Sequence, residues 1–221
     1  MRFSNFRLSA KALETGRLVV RRLEIGDLDD FAALCGDPEA MRHMDDGRPL
    51  SRERSEAWLR VSLANHRERG WGCFAVSAKP SERMIGFAGF ARPPERPGVV
   101  ELIYALGADH WRRGYATEVA DAMVSFGFEK CGLTRLEAKI HPANKASKRV
   151  SAKIGMSHKG RRTNDDGSST DYFATERKIT PSAVAASSGS MGFRNPRSAF
   201  GFALATRFAV GLSASKQKTR S

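Results

Sequence analysis

The chain has 221 residues, 41% of them hydrophobic and 28% charged, with a formal net charge of +13. That length favours one folded domain with at most an appendage, and no uninterrupted apolar run approaches the ~20 residues that a membrane-spanning helix requires. Cys35, Cys73 and Cys131 are odd in number and form no C-x-x-C pair, so neither a disulfide framework nor a thiolate zinc site is suggested and a reducing, cytoplasmic setting fits.

The N-terminal stretch MRFSNFRLSAKALETGR is basic but lacks the continuous apolar core of a secretory signal. RLVVRRL (17–23) then has the β-branched density of a strand. Asp27 is placed to cap a helix through DLDDFAALC that stops at Gly36, and Asp37 with Pro38 restarts a short helical turn. Ser51 caps a longer helix ending at Gly70, in which Ala57, Trp58, Val61 and Ala64 recur at helical spacing and predict one buried face. CFAVSA (73–78), IGFAGFA (85–91) and VVELIYAL (99–106) read as three short strands of an antiparallel meander, separated by KPSER and RPPERPG.

The pattern then switches to a helix over 115–130, with Val119, Ala120, Met123 and Gly127 on one stripe and Gly132 beyond its end. LEAKI (136–140) is a strand, ASKRVSAKI (146–154) a helix closed by Gly155, and SSTDYFATER the last strand. Only the strand, helix, strand unit across 99–140 demands parallel pairing, so the expected fold is an α/β sandwich on a mixed, mostly antiparallel sheet.

Residues 1–12 read as an N-terminal extension and 13–180 as the folded domain. From 181 to 221 the sequence is rich in small and polar residues, which predicts a flexible tail. Beyond Glu176 every charged residue is basic, among them Arg194, Arg197, Arg207, Lys216, Lys218 and Arg220, so much of the positive excess belongs to that tail. Such a distribution fits contact with RNA or the ribosome through the tail.

The segment that carries chemistry is HWRRGYATEVADAM (110–123). A strand that runs into a glycine-containing turn and then a helix makes a generic anion site, because the first N–H groups of a helix lack partners and the dipole concentrates positive potential there. Gly114 permits close backbone approach, Arg112 and Arg113 add charge, and the small Ala116 and Thr117 leave room for a diphosphate. Read alone, the same residues also suit a solvated helix start. The histidines at 43, 66, 110, 141 and 158 have no metal-ligand spacing, so no metal is implied.

The whole order from VVELIYAL through HWRRGYATE, LEAKI, PANKAS and the Gly of KIGM resembles the core of the GNAT superfamily of N-acetyltransferases, in particular its RimJ/RimL-like branch. The opening LETGRLVVRRLEIGDLDDFAALCGDPEAMRHM looks like that branch too, so the resemblance covers roughly 13–178. It implies the GNAT fold, with helices on both faces of the sheet and a splayed parallel strand pair. It also implies acetyl-coenzyme A as cosubstrate and a primary amine as acceptor: a protein N-terminal α-amine, a polyamine or another small amine. A monomer or a homodimer fits equally.

By that resemblance the backbone of Arg112, Arg113, Gly114, Tyr115, Ala116 and Thr117 holds the pyrophosphate, and the strand residues Leu102, Ile103 and Tyr104 pair with the pantetheine arm. An amide near Ile103 or Tyr104 stabilises the thioester oxyanion. Glu101 takes the position of the family's strand glutamate, a candidate base for the amine, although a structural cross-strand carboxylate would occupy the same place. Asn144 contacts the pantetheine, caps its helix, or both. Ser147 is the candidate acid for the departing thiolate, with Ser151 as the alternative hydroxyl one turn on, where many relatives carry a tyrosine. Asp45 and Asp46 either attract a cationic acceptor or belong to a solvated loop. Trp111 is expected to pack rather than react, and no covalent intermediate on a cysteine is expected. A module that senses acyl-coenzyme A without turnover is the alternative reading.

Overall fold

The computed structural model describes residues 11–44, 46–93, 96–164 and 167–177. The expected tail, residues 181–221, the first ten residues and Asp45 lie outside them. One mixed sheet of eight strands organises the rest, in the order β1-β2-β3-β4-β5-β6-β8-β7. The strands are β1 (Lys11–Glu14), β2 (Leu18–Arg22), β3 (Cys73–Ala78), β4 (Met84–Ala91), β5 (Glu101–Leu106), β6 (Arg135–Ile140), β7 (Ser157–Thr163) and β8 (Ser169–Glu176). Every neighbouring pair is antiparallel except β5 and β6. These two join through the helix α4 (Tyr115–Glu129), the crossover that parallel strands require.

The other helices are α1 (Leu28–Cys35), α2 (Pro38–Met41), α3 (Arg52–Arg69) and α5 (Lys145–Lys153). Alternate residues along β3 enter two separate apolar clusters, so helices cover both faces of the sheet. Phe74 and Val76 pack with Val119, Ala120 and Met123 of α4, whereas Cys73 and Ala75 pack with Phe31 of α1 and Leu59 of α3.

Three local expectations need correction. Asp27 does not cap α1 by its side chain. Its carboxylate instead accepts from the Glu24 amide (2.8 Å) and pairs with Arg21 (2.7 Å), bracing a short 3₁₀ turn ahead of the helix. The apolar stripe of α3 is not its buried face either. The buried residues are Ser55, Leu59, Ser62 and His66, because Ser62 Oγ donates to the Cys73 carbonyl (3.0 Å) and accepts from its amide (2.8 Å), while His66 Nε2 also meets that carbonyl (2.8 Å). Anchored to β3 backbone through Ser62 Oγ and His66 Nε2, this polar stripe takes the interior and leaves Trp58, Val61 and Ala64 to line a cleft. Finally, β7 and β1 complete the sheet at its two edges where no strand is expected from the sequence. SHKGRRT, the sequence of β7, is mostly exposed and has no apolar alternation to announce it.

Candidate active site

The site begins where β5 and β6 part. Their register contains a single backbone pair, Glu101 with Glu137, supported by the Glu137 amide donating to the Val100 carbonyl (3.0 Å). Beyond it the strands diverge towards their C-terminal ends. Alternation decides which backbone groups face the opening. Gly107 donates to Ile85 of the neighbouring β4 side (2.9 Å), and Val100 accepts from β6. Odd-numbered β5 residues therefore direct their amides at β4, and Leu102 and Tyr104 direct theirs at β6. Tyr104 lies past the paired residue, with its N–H towards the gap. At the end of the strand the Leu106 carbonyl accepts from the Trp111 indole (2.7 Å), and Arg42 lies over the Trp111 ring, so Trp111 braces the strand end.

After β5 the chain passes through a short 3₁₀ turn, Ala108–His110, and then enters α4. Arg112 has φ 61° and Gly114 φ 82°, so two residues of the turn take the left-handed conformation, which costs the arginine roughly 1–2 kcal/mol. No side chain caps α4, and its first-turn amides, those of Tyr115, Ala116 and Thr117, have no partner within the helix. Arg112 and Arg113 are exposed at that end. The arrangement fits a diphosphate: uncapped amides and the positive end of the helix dipole meet at one turn, whose chain carries two exposed arginines.

The turn is held from an unexpected direction. Glu118, the acidic residue of the ATE run, accepts from the Thr15 hydroxyl (2.5 Å), the Arg17 amide (3.0 Å) and Arg17 Nε (2.7 Å). Arg17 also donates to the Arg113 carbonyl (2.9 Å) and lies over the Tyr115 ring at 4.7 Å. Burial alone would raise the Glu118 pKa, but these donors and the Arg17 charge hold it below the usual carboxylate value. In the sequence Arg17 reads only as the start of a strand; nothing local connects it to residue 118.

A cleft of about 560 Å³ opens between the strands. Of the expected residues it gathers Glu101, Leu102, Ile103, Tyr104, Asn144, Ser147 and Ser151 into its lining. The turn 112–117 stands outside the cleft, and so does Asp46, which is exposed and accepts from the Arg48 amide (3.0 Å) in a local turn. His43, Arg54, Trp58, Val61 and Arg69 also line the cleft, which the sequence does not announce. His43 stacks on His141, the rings 5.3 Å apart and 21° from parallel, and burial, followed by Arg42 and His141, lowers its pKa.

The side chains of β5 divide the cleft. Ile103 and Ala105 belong to the α1/α3 cluster, so Glu101, in phase with them, projects to that face. It is buried, 7% exposed, and its carboxylate pairs with Lys139 of β6 at 3.3 Å across the opening. Tyr104 is in phase with Leu102 and Leu106 and packs on the α4/α5 side. There its hydroxyl is buried beside Ser147 but makes no regular hydrogen bond. Burial raises the phenol pKa, and the Ser147 hydroxyl offsets part of that rise. Asn144 caps α5, its Oδ1 accepting from the Ser147 amide (3.0 Å). One residue on, Lys148 pairs with the buried Asp171 of β8, which Arg161 also contacts (2.8 Å), and this fixes α5 against the sheet.

The thiols offer no alternative nucleophile. All three are free, and burial pushes Cys35 up to about 12 and Cys131 up to about 11, while Cys73 also lies well above its ordinary value. Among the described residues, no group of three or more His, Cys, Asp or Glu is arranged to hold a metal ion, and no helix is long and apolar enough to cross a membrane.

Comparison with known proteins agrees with this geometry. The model of the acetyltransferase (GNAT) domain family matches residues 17–157, and the chain belongs to that family. It is an acyltransferase of the N-acetyltransferase class. The uncharacterized N-acetyltransferase p20 of Bacillus licheniformis is 28% identical over 154 residues, covering 68% of this chain and 84% of that protein. Among solved structures, an acetyltransferase from Agrobacterium tumefaciens superposes with a TM-score of 0.65 at 25% identity, over 75% of this chain and 94% of that one. RimL, the ribosomal L7/L12 α-N-protein acetyltransferase in complex with coenzyme A, gives a TM-score of 0.65 at 15% identity over 75% and 97%, a likeness of fold.

Proposed function

We propose that the protein transfers an acetyl group from acetyl-coenzyme A to a primary amine by direct attack within a ternary complex. The observation that carries this reading is the opening of β5 from β6 after one backbone pair, with the Tyr104 amide turned into the gap and the uncapped start of α4 beyond the strand. The turn from Arg112 to Thr117 receives the pyrophosphate, and Leu102 to Tyr104 offer an edge to the pantetheine. The Tyr104 N–H donates to the thioester oxygen as negative charge develops there.

An aliphatic amine is mostly protonated at neutral pH, its reference pKa being about 10, so a group must take that proton before attack. Glu101 serves as this base, directly or through a water, from the α3 face of the cleft. Its pairing with Lys139 holds the carboxylate in place. Raised thiol pKa values support direct attack over an acyl-cysteine route.

The lining also bears on the acceptor. Among the described residues of the cleft, Arg54, Arg69, Arg92 and Lys139 stand against Glu68 and Glu101, a balance that supports an amine of low positive charge such as a peptide N-terminus over a polycation. The test is release of free thiol from acetyl-coenzyme A against peptides, polyamines and aminoglycosides. Turnover with peptides above polyamines is the expected result. Coenzyme binding without thiol release for any amine would overturn the reading in favour of an acyl-coenzyme A sensor.

A further inference from the structure

The reaction leaves a thiolate behind, and the two faces of β5 are not equally supplied with groups to protonate it. A serine hydroxyl is a weak proton donor; a phenol, with a reference pKa near 10, lies much closer to the ~8.5 of a free thiol. On α5 the sequence supplies only Ser147 and Ser151 at the positions that face the cleft. From the strand side, however, Tyr104 places a phenol in the same space. Its hydroxyl is buried in the cleft wall, makes no hydrogen bond of regular geometry, and has the Ser147 hydroxyl beside it. A buried hydroxyl whose hydrogen bonding is incomplete is costly, and such groups in a cleft commonly have a functional reason.

Resting on the proposed acetyl transfer, we infer that Tyr104 is the general acid of the reaction and that Ser147 is its positioning residue. The amine nitrogen bonds to the acetyl carbon while the carbon–sulfur bond breaks. The sulfur takes the Tyr104 hydroxyl proton, and the Ser147 hydroxyl donates a hydrogen bond to the phenolate. Tyr104 then recovers a proton from solvent or from the one that the amine has surrendered, so no other reactant is needed. The same residue acts twice: its amide, which faces the gap, steadies the carbonyl oxygen, and its side chain, on the α5 face, serves the leaving group. Burial raises the phenol pKa, which keeps it protonated through the neutral range, and Ser147 limits that rise.

The test uses the full-length protein with its best acceptor amine. Tyr104→Phe keeps ring and backbone and should lower kcat about 100-fold with the KM for acetyl-coenzyme A little changed. Ser147→Ala should lower kcat less and move the basic limb of the kcat profile upwards. The chain has only three tyrosines, so fluorotyrosine introduced at 104 can be compared with the same replacement at 115 and 172. Its more acidic phenol should shift the basic limb downwards at 104 alone. If wild type turns over but Tyr104→Phe retains kcat within about twofold and fluorotyrosine leaves the profile unmoved, Tyr104 is not the acid. In that outcome a large loss in Ser147→Ala would return the role to the serine. Absence of turnover in wild type itself would instead sink the acetyl-transfer reading.

Discussion

The two faces of β5 are built from the same six residues yet are chemically unlike. On the face towards α3, Glu101 sits in a charged environment, tied to Lys139 and bordered by arginines and by the stacked His43 and His141. On the face towards α5, Tyr104 and Ser147 place neutral hydroxyls among apolar neighbours. A strand alternates its side chains by default; here the alternation separates a proposed proton acceptor from a proposed proton donor by the thickness of one sheet. The backbone between them supplies the amide for the carbonyl. Proton removal from the amine and proton delivery to sulfur can then proceed on opposite sides of the carbon under attack, without the two groups neutralising each other.

That division can be broken at several points. The largest effect is expected at the α4 turn, which serves neither face but anchors the donor to both. Arg112→Glu with Arg113→Glu puts two like charges against a diphosphate and should raise the Kd for coenzyme A at least 100-fold, at roughly tenfold per 1.4 kcal/mol, as read by calorimetry. Glu101→Gln acts on the α3 face alone. It should reduce kcat/KM about 100-fold at neutral pH while leaving the Kd for coenzyme A within about twofold. The loss should shrink as pH rises and the amine deprotonates unaided.

Smaller effects sharpen the account of the scaffold. Gly114→Ala forces a side chain into φ 82° and sets its Cβ 3.3 Å from Arg17 Nη2; a destabilisation of about 1–2 kcal/mol should appear as a lowered Tm. The smallest expected effect is the pH dependence of the Glu118 anchor. Its folded pKa lies below the usual value, so its contribution to stability is fully present above the unfolded carboxylate pKa and lost as pH falls through the folded one. Glu118→Gln should therefore flatten the acid side of the Tm profile relative to wild type.

Much of this arrangement is legible in the sequence because its signals are local. The strand, turn and helix from 99 to 130 carry their own periodicity, and Gly114 marks the left-handed turn. Asn144 and Ser51 cap their helices as their positions predict. What escapes are pairings across long separations. The buried stripe of α3 is polar because Ser62 and His66 meet the Cys73 backbone, so apolar spacing pointed to the wrong face. Arg17 acts on Glu118 a hundred residues away, and Lys139 reaches Glu101 only because β5 and β6 are parallel neighbours. Strand β7 lacks alternation because it is an exposed edge. Helical spacing puts hydroxyls together on α5; that a strand tyrosine comes beside them is set by tertiary packing alone.

The central claim is that the gap between β5 and β6, together with the α4 turn, receives the acyl donor. Backbone amide shifts followed by ¹⁵N NMR during titration with coenzyme A test it directly. The account predicts the largest perturbations at Gly114 to Thr117 and at Tyr104, with β7 and β8 nearly silent. Saturable binding that leaves those amides unmoved and perturbs another part of the sheet would contradict it.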